Sequence, residues 1–165
     1  FWTGIRIGEL LALNVADVDF EKRTISIMKS YQRMGGRDVI TEPKTPKSKR
    51  VIAIPQFLAV DLQDYVNSMY GVQGEDRLFP ITKYYLEHEM QRGIKESGVK
   101  RIRIHDLRHS HASLLVEMGF SPLEIANRLG HEKTETTLNT YSHLYPDKQE
   151  QLADRLDKEY REGLS

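Results

Sequence analysis

"IRIHDLRHSHASLLVEMG", residues 102–119, is the stretch on which the reading of this chain turns. Ala112, Leu115 and Val116 recur at helical spacing and Gly119 closes the run, so the stretch predicts a helix with a core-facing stripe. His105, Arg108 and His109 continue that face at the front of the helix. A helix N-terminus already carries unpaired N–H groups and a positive partial charge. Adding Arg108 and His105 there is unfavourable unless an anion joins them. A phosphate would satisfy backbone N–H, guanidinium and imidazole together. His109 and His111 read instead as histidines hydrogen-bonded in the core.

The elements around this helix follow from periodicity. "RIGELLAL" places Ile7, Leu10, Leu11 and Leu13 on a short helix, with Asn14 as its stop. "RTISIMKSY" alternates around Ile25 and Ile27 and predicts a strand, and "RDVITE" and "KRVIAIP" predict two more. Together they predict a small antiparallel sheet, with the polar, two-proline "PKTPKSK" as a turn between the last two. After Pro55 the pattern is helical. "QFLAVDLQDYVNSMYG" sets Leu58, Leu62, Tyr65, Val66 and Met69 on one face and stops at Gly71, and "ITKYYLEHEMQRGIKESG" ends at Gly98. In "SPLEIANRLG", Ser121 is an N-cap, Pro122 the first helical residue and Gly130 the terminator. "TETTLNTYSHLY" is a shorter helix broken before Pro146. A charged terminal helix carries Leu152, Leu156 and Tyr160. The fold class expected is mainly α with a small antiparallel β-sheet (α+β).

Composition narrows the classes. The chain has 165 residues, enough for one domain with a sizeable core, and 39% hydrophobic against 29% charged residues excludes a disordered chain. No apolar run is long enough to span a bilayer, and no signal peptide is visible. With no cysteine there is neither a disulfide nor a thiolate metal site, which fits a cytoplasmic setting. Formal net charge is zero, which argues against a nucleic-acid binder taken as a whole. The charge is uneven, however. Lys29, Arg33, Arg37, Lys44, Lys47, Lys49 and Arg50 face only Asp38 and Glu42, a second basic excess runs from Arg92 to Arg108, and acidic residues concentrate between Asp147 and Glu162. A basic face and an acidic back are expected. The abrupt apolar start, Phe1-Trp2, reads as the edge of a fragment.

Single motifs are ambiguous. "HDLRH" spaces two histidines as in a zinc helix, with Asp106 where the general base would be, but Arg108 would repel a dication. Arg6 and Glu9, three residues apart, read as an intrahelical pair worth a few tenths of a kcal/mol if exposed. Lys44 alone reads as solvated decoration, and Tyr141 alone as a core aromatic.

Together, "TGIRIGELLAL", "KTPKSKRVIAIP", "HDLRHSHASLL" and "LGHEKTETTLNTYSHL" resemble, over Phe1 to about Leu144, the catalytic domain of tyrosine recombinases of the phage and integrative-element integrase type. The resemblance implies the DNA breaking-rejoining fold, with a catalytic domain over 1–145 and a helical tail over 146–165. Core-binding and arm-site domains would lie upstream. It makes Arg6 and Arg108 the two catalytic arginines, Lys44 the β-hairpin lysine, His105 the family histidine, His131 the histidine of the "LGH" box and Tyr141 the nucleophile, with Glu9 supporting Arg6. Tyr145 competes with Tyr141, but the "TYSHL" context favours the latter. Lys47, Lys49, Arg50 and Arg103 are expected to touch DNA.

The chemistry such a site implies is site-specific recombination of a mobile element through a 3′-phosphotyrosyl link, without metal or cofactor. Two arginines hold the non-bridging phosphate oxygens, His131 donates a further bond, His105 takes the phenol's proton and Lys44 protonates the leaving 5′ oxygen. The implied partners are double-stranded attachment-type DNA, a homotetramer on that DNA (the chain alone being a monomer) and a directionality factor. The implied setting is the cytoplasm of a bacterium, with the protein host- or phage-encoded. A type IB topoisomerase, a non-catalytic DNA-binding module of the same fold and, more distantly, a zinc hydrolase are the competing readings.

Overall fold

The computed structural model describes residues 1–43, 45–145 and 149–162, the last segment without the side chains of residues 149–151. Helix α1 (Ile7–Ala12) is followed by strands β1 (Val18–Asp19), β2 (Thr24–Ile27), β3 (Ser30–Met34), β4 (Arg37–Thr41) and β5 (Arg50–Ala53). Helices α2 (Gln56–Ser68), α3 (Lys83–Ser97), α4 (Ile104–Glu117), α5 (Pro122–Leu129), α6 (Thr134–Tyr141) and α7 (Gln149–Glu162) complete it. The architecture is mainly α with small antiparallel sheets, as the periodicity predicts. α1 stops at Ala12, two residues before the expected Asn14, and α2 ends at Ser68, short of Gly71.

The single sheet expected from three runs is two sheets. "RTISIMKSY" is not one strand. Its first half, β2, pairs antiparallel with β5 (Ile25 opposite Ile52) and with the two-residue β1, whereas its second half, β3, pairs only with β4. Burial explains the split. Ile25 and Ile27 pack with Ile52, Ile54, Ala59 and Leu78 in one core, which Leu58, Leu62 and Val66 of α2 cover. Tyr31 turns to a different core, beside Leu11 and Ala12 of α1. There Arg77 lies 4.5 Å over its ring, and its hydroxyl donates to Asp38 at 2.8 Å. Arg77 also donates to Asp38 and to the carbonyls of Leu11, Phe79 and Ile81, which fixes the β3–β4 hairpin against the body. Gly8 permits this approach, since a Cβ there would stand 2.7 Å from Ser30 Oγ and 3.0 Å from the Tyr31 carbonyl.

A third core joins α4, α5 and α6 through Ala112, Val116, Ile125, Leu129 and Tyr141. α5 has the start and stop read from sequence. Ser121 and Glu124 form a capping box, Pro122 opens the helix and Gly130 ends it at φ +67°. Leu152, Leu156 and Tyr160, the apolar stripe of α7, are all exposed. Among the described residues no helix is long and apolar enough to cross a membrane.

The end of α5 ties the pieces together. Its last carbonyls lack helical partners. Arg50 Nε donates to the Arg128 carbonyl at 2.8 Å, Arg108 Nη2 to that of Leu129 at 2.7 Å and Arg6 Nη2 to that of Gly130 at 3.3 Å. Three arginines from β5, α4 and the start of α1 thus meet at three consecutive carbonyls, at the negative end of a helix dipole. Beneath them Glu9, 3% exposed, pairs with both Arg50 (2.9 Å) and Arg6 (2.8 Å). Gly130 has a second reason to be glycine, since a Cβ there would lie 2.7 Å from Arg50 Nη1. Replacing Arg50 by Met leaves a buried carboxylate with one partner and two carbonyls unmet, and should cost about 3 kcal/mol. Urea denaturation should show the Glu9→Gln/Arg50→Met double variant recovering part of that loss, and full additivity would exclude the coupling.

Candidate active site

Arg6 caps the N-terminus of α1. Its backbone N–H and one guanidinium nitrogen both donate to Glu9, each at 2.8 Å, so the side chain is fixed in direction while 39% exposed. His131 follows Gly130, and its backbone N–H bonds to the Ala126 carbonyl. Arg6, Glu9 and His131 line one open groove of about 490 Å³, whose other wall includes Thr41, Pro43 and Thr45 from the end of the β3–β4 hairpin. Lys44 itself lies outside the described residues. Arg108 and His105 line a separate, smaller cleft of about 110 Å³ with Gly4 and Ile7.

Arg108 is 6% exposed, with one nitrogen on the Gly4 carbonyl and another on that of Leu129, both at 2.7 Å. Burial, then the positive charge of Arg6, push its pKa down to about 10, so it stays charged at neutral pH. At the front of α4, Asp106 turns back to the N-cap residue Arg103. The Asp106 carboxylate accepts from the Arg103 backbone at 2.8 Å and pairs with the Arg103 guanidinium at 2.9 Å. The conflict between Arg108 and the dipole of its own helix is resolved at the far end of α5.

The assignment of Arg50 to a DNA-facing patch is corrected. Its side chain is 7% exposed, and its guanidinium is committed to Glu9, Ser48 and Arg128. Much of the expected basic face is likewise balanced locally. Lys29 pairs with Asp17, Lys49 with Glu42, Arg92 with Glu89 and Glu96, and Arg103 with Asp106. Lys47 is exposed beside the groove's turn. The zinc arrangement does not assemble, for among the described residues no three His, Asp or Glu side chains converge to hold a metal.

Two residues of the site were not read from sequence. Thr137, fully buried, lies 2.8 Å through its hydroxyl from His131 Nδ1. With Thr137 as donor, Nε2 keeps the proton and can donate it into the groove. His109 Nδ1 lies 2.7 Å from the hydroxyl of Tyr141, which is 4% exposed. Thr137 and Tyr141, four apart on α6, share a buried face, and that spacing was the available signal. Tyr145, the competing tyrosine, donates its hydroxyl to the Phe120 carbonyl at 3.2 Å and packs against the α4–α6 core. Burial raises the Tyr141 phenol above its ordinary pKa, while the charge of Arg108 lowers it. His105 is exposed, its ring edge-on to His109 at 4.9 Å.

Burial, followed by the charges of Arg108 and Arg6, pushes His131 down to about 4, and burial, followed by Arg128, does the same to His111. Each binds its proton more readily unfolded than folded between pH about 4 and the ordinary 6.5. Stability should therefore fall as pH drops through that window. The urea midpoint should decline less steeply with acid in a His111→Asn variant, and an unchanged slope would exclude His111 as a source.

The chain is similar to several known proteins in sequence and, for some, in fold. The chain is 35% identical to the ICEBs1 integrase of Bacillus subtilis over 170 residues, covering 95% of this chain and 46% of the relative. It is 32% identical to the integrase of Staphylococcus phage L54a, covering 94% of this chain and 49% of that protein. The chain thus spans about half the length of the curated relatives it matches. Among solved structures, the Tn1549 transposon integrase in complex with circular intermediate DNA superposes with a TM-score of 0.81 at 28% identity, over 93% of this chain and 56% of that one. XerA recombinase shares the fold at a TM-score of 0.68. Residues 1–148 match the phage integrase family, and the chain belongs to that family.

Proposed function

We propose that the chain carries out site-specific DNA strand exchange as a tyrosine recombinase, cutting and rejoining DNA through a covalent 3′-phosphotyrosyl link. The observation that carries this reading is the gathering of Arg6, Arg108 and His131 around the last turn of α5, one helix away from a buried tyrosine hydroxyl. The relatives in hand are integrases, and one is named in complex with DNA. Residues 1–145 serve as the catalytic domain and 146–165 as a helical tail.

The residue types suit the step. Tyr141 Oη attacks a DNA phosphorus and the 5′ oxygen leaves. Arg6 and Arg108 offer fixed, always-charged forks to the non-bridging oxygens, and His131 adds a hydrogen bond from Nε2. Glu9 orients Arg6. The resemblance assigns protonation of the leaving oxygen to Lys44 and the phenol's proton to His105. The link conserves the phosphoester, so a second strand's 5′ hydroxyl reverses the step without an external energy source. Lys47, Lys49 and Arg103 remain candidates for backbone contacts once DNA displaces their local partners. We place four protomers on two attachment-type sites in the bacterial cytoplasm, with a directionality factor biasing the outcome.

A nicked suicide duplex that traps the covalent intermediate tests the reading. The wild-type protein should form the adduct with the modified peptide containing Tyr141, and Tyr141→Phe should form none. DNA binding without an adduct would instead favour a non-catalytic module, and site-independent relaxation of supercoils a topoisomerase. Arg6→Lys and Arg108→Lys keep the charge but lose the fork, and each should slow adduct formation by roughly 10²–10³-fold. Near wild-type rates would remove both from the site.

A further inference from the structure

The hydrogen bond on the proposed nucleophile is made by a residue that the family resemblance does not assign. We propose that His109, through Nδ1, accepts the proton of the Tyr141 hydroxyl as that oxygen attacks the DNA phosphorus. This deepens the recombinase reading and rests on it. Nδ1 lies 2.7 Å from Oη, within the reach required of a general base, and the phenol is enclosed against Ala112, Val116 and Leu129. His105, which the resemblance nominates, stands one turn earlier on α4 with its ring edge-on to His109, so His109 is the imidazole in contact with the reacting atom.

The surroundings suit a proton acceptor. On α4, His109 is faced by His105 and by the Asp106 carboxylate. From α6 it is faced by Tyr141, and His131, beyond the end of α5, lies within its electrostatic reach. Arg108, the preceding residue, acts on the phenol by favouring its ionised form. A phenol near its ordinary pKa of about 10 is a poor nucleophile at neutral pH, and burial makes it poorer, so an adjacent base has work to do.

The step balances. The Oη–H bond breaks and its proton goes to Nδ1. The Oη–P bond forms, and the electron pair of the P–O5′ bond leaves with the 5′ oxygen, which takes a proton from the hairpin lysine or solvent. When a 5′ hydroxyl attacks the phosphotyrosine, its own proton is released to that same donor site, and His109 returns its proton to the departing phenolate. The imidazole is restored once per cleavage and rejoining.

The test is single-turnover adduct formation by the intact protein on a nicked suicide duplex from pH 5.5 to 9, with wild type, His109→Ala and His109→Asn. Asn keeps a hydrogen-bonding group near the Nδ1 position but takes no proton. Both variants should be slower by roughly 10²–10⁴-fold at pH 7, with duplex binding unchanged. The acid limb of the wild-type profile should vanish in both, and added imidazole should speed His109→Ala at least tenfold. A substrate with sulfur at the bridging 5′ position, whose leaving group needs no proton, should not relieve the defect.

Rates within fivefold of wild type, or faster, would identify a holding contact and overturn the proposal. So would relief by the bridging sulfur, or a wild-type profile without an acid limb, which needs no variant to fold. Equal adduct yields in wild type and variants would sink this assignment alone, whereas no adduct from wild type would sink the phosphotyrosyl reading and this with it.

Discussion

The last turn of α5 holds the molecule's two halves together. A helix C-terminus leaves carbonyl groups without partners and gathers negative partial charge. Here those of Arg128, Leu129 and Gly130 accept from Arg50, Arg108 and Arg6, which arrive from a strand, a helix and a helix cap far apart in sequence. Arg128 itself reaches back from the same turn to the Ala53 carbonyl on β5 and to His111 on α4. Arg108 is anchored at both ends, on Gly4 and on Leu129. Without that turn three guanidinium groups would repel one another across a partly buried space. With it, they are held at fixed positions before any ligand arrives. Such preorganisation lets electrostatic stabilisation act without reorganisation during the reaction.

Glu9 sets the balance of that charge. One buried carboxylate faces two guanidinium groups, and Arg50 and Arg6 lower its pKa against the penalty of burial. Of the two, Arg50 is consumed by structure. Arg6 keeps more than a third of its surface open and looks into the groove. Arg50 meets Glu9, Ser48 and Arg128, whereas Arg6 meets only Glu9 and Gly130 among the described residues. His131 adds no further cation, for burial and then the surrounding arginine charge keep it neutral.

Much of this was legible in the chain. Ser121, Pro122 and Gly130 mark α5 from sequence because capping and termination are local chemistry. The stripe of α4 was legible because helical period and burial agree at Ala112 and Val116. The division of residues 23–31 into two strands was not, because Ile25, Ile27 and Tyr31 obey one alternation and differ only in which core receives them. Arg50 looked like one more cation on a basic turn. Its partner Glu9 is 41 residues away, and no periodicity links the two. His109 was correctly expected to be hydrogen-bonded, but the identity of its partner required the packing of α6 on α4. Sequence patterns register which residues share a face; they do not register which acceptor a long side chain will find.

Enclosure of the proposed nucleophile has a chemical consequence. A tyrosine hydroxyl exposed to water would be easier to ionise but equally open to unproductive encounters. In this fold the phenol is buried among Ala112, Val116, Ile125 and Leu129, so its ionisation depends on what the protein places beside it. What stands beside it is the imidazole of His109 and, further off, the charge of Arg108. Leu129 contributes its side chain to the tyrosine's pocket and its carbonyl to Arg108. One residue at the end of α5 therefore sets the position of both the group that would attack and a group that would hold what is attacked. The next residue, Gly130, has no room for a Cβ because the Arg50 guanidinium fills that side of the turn.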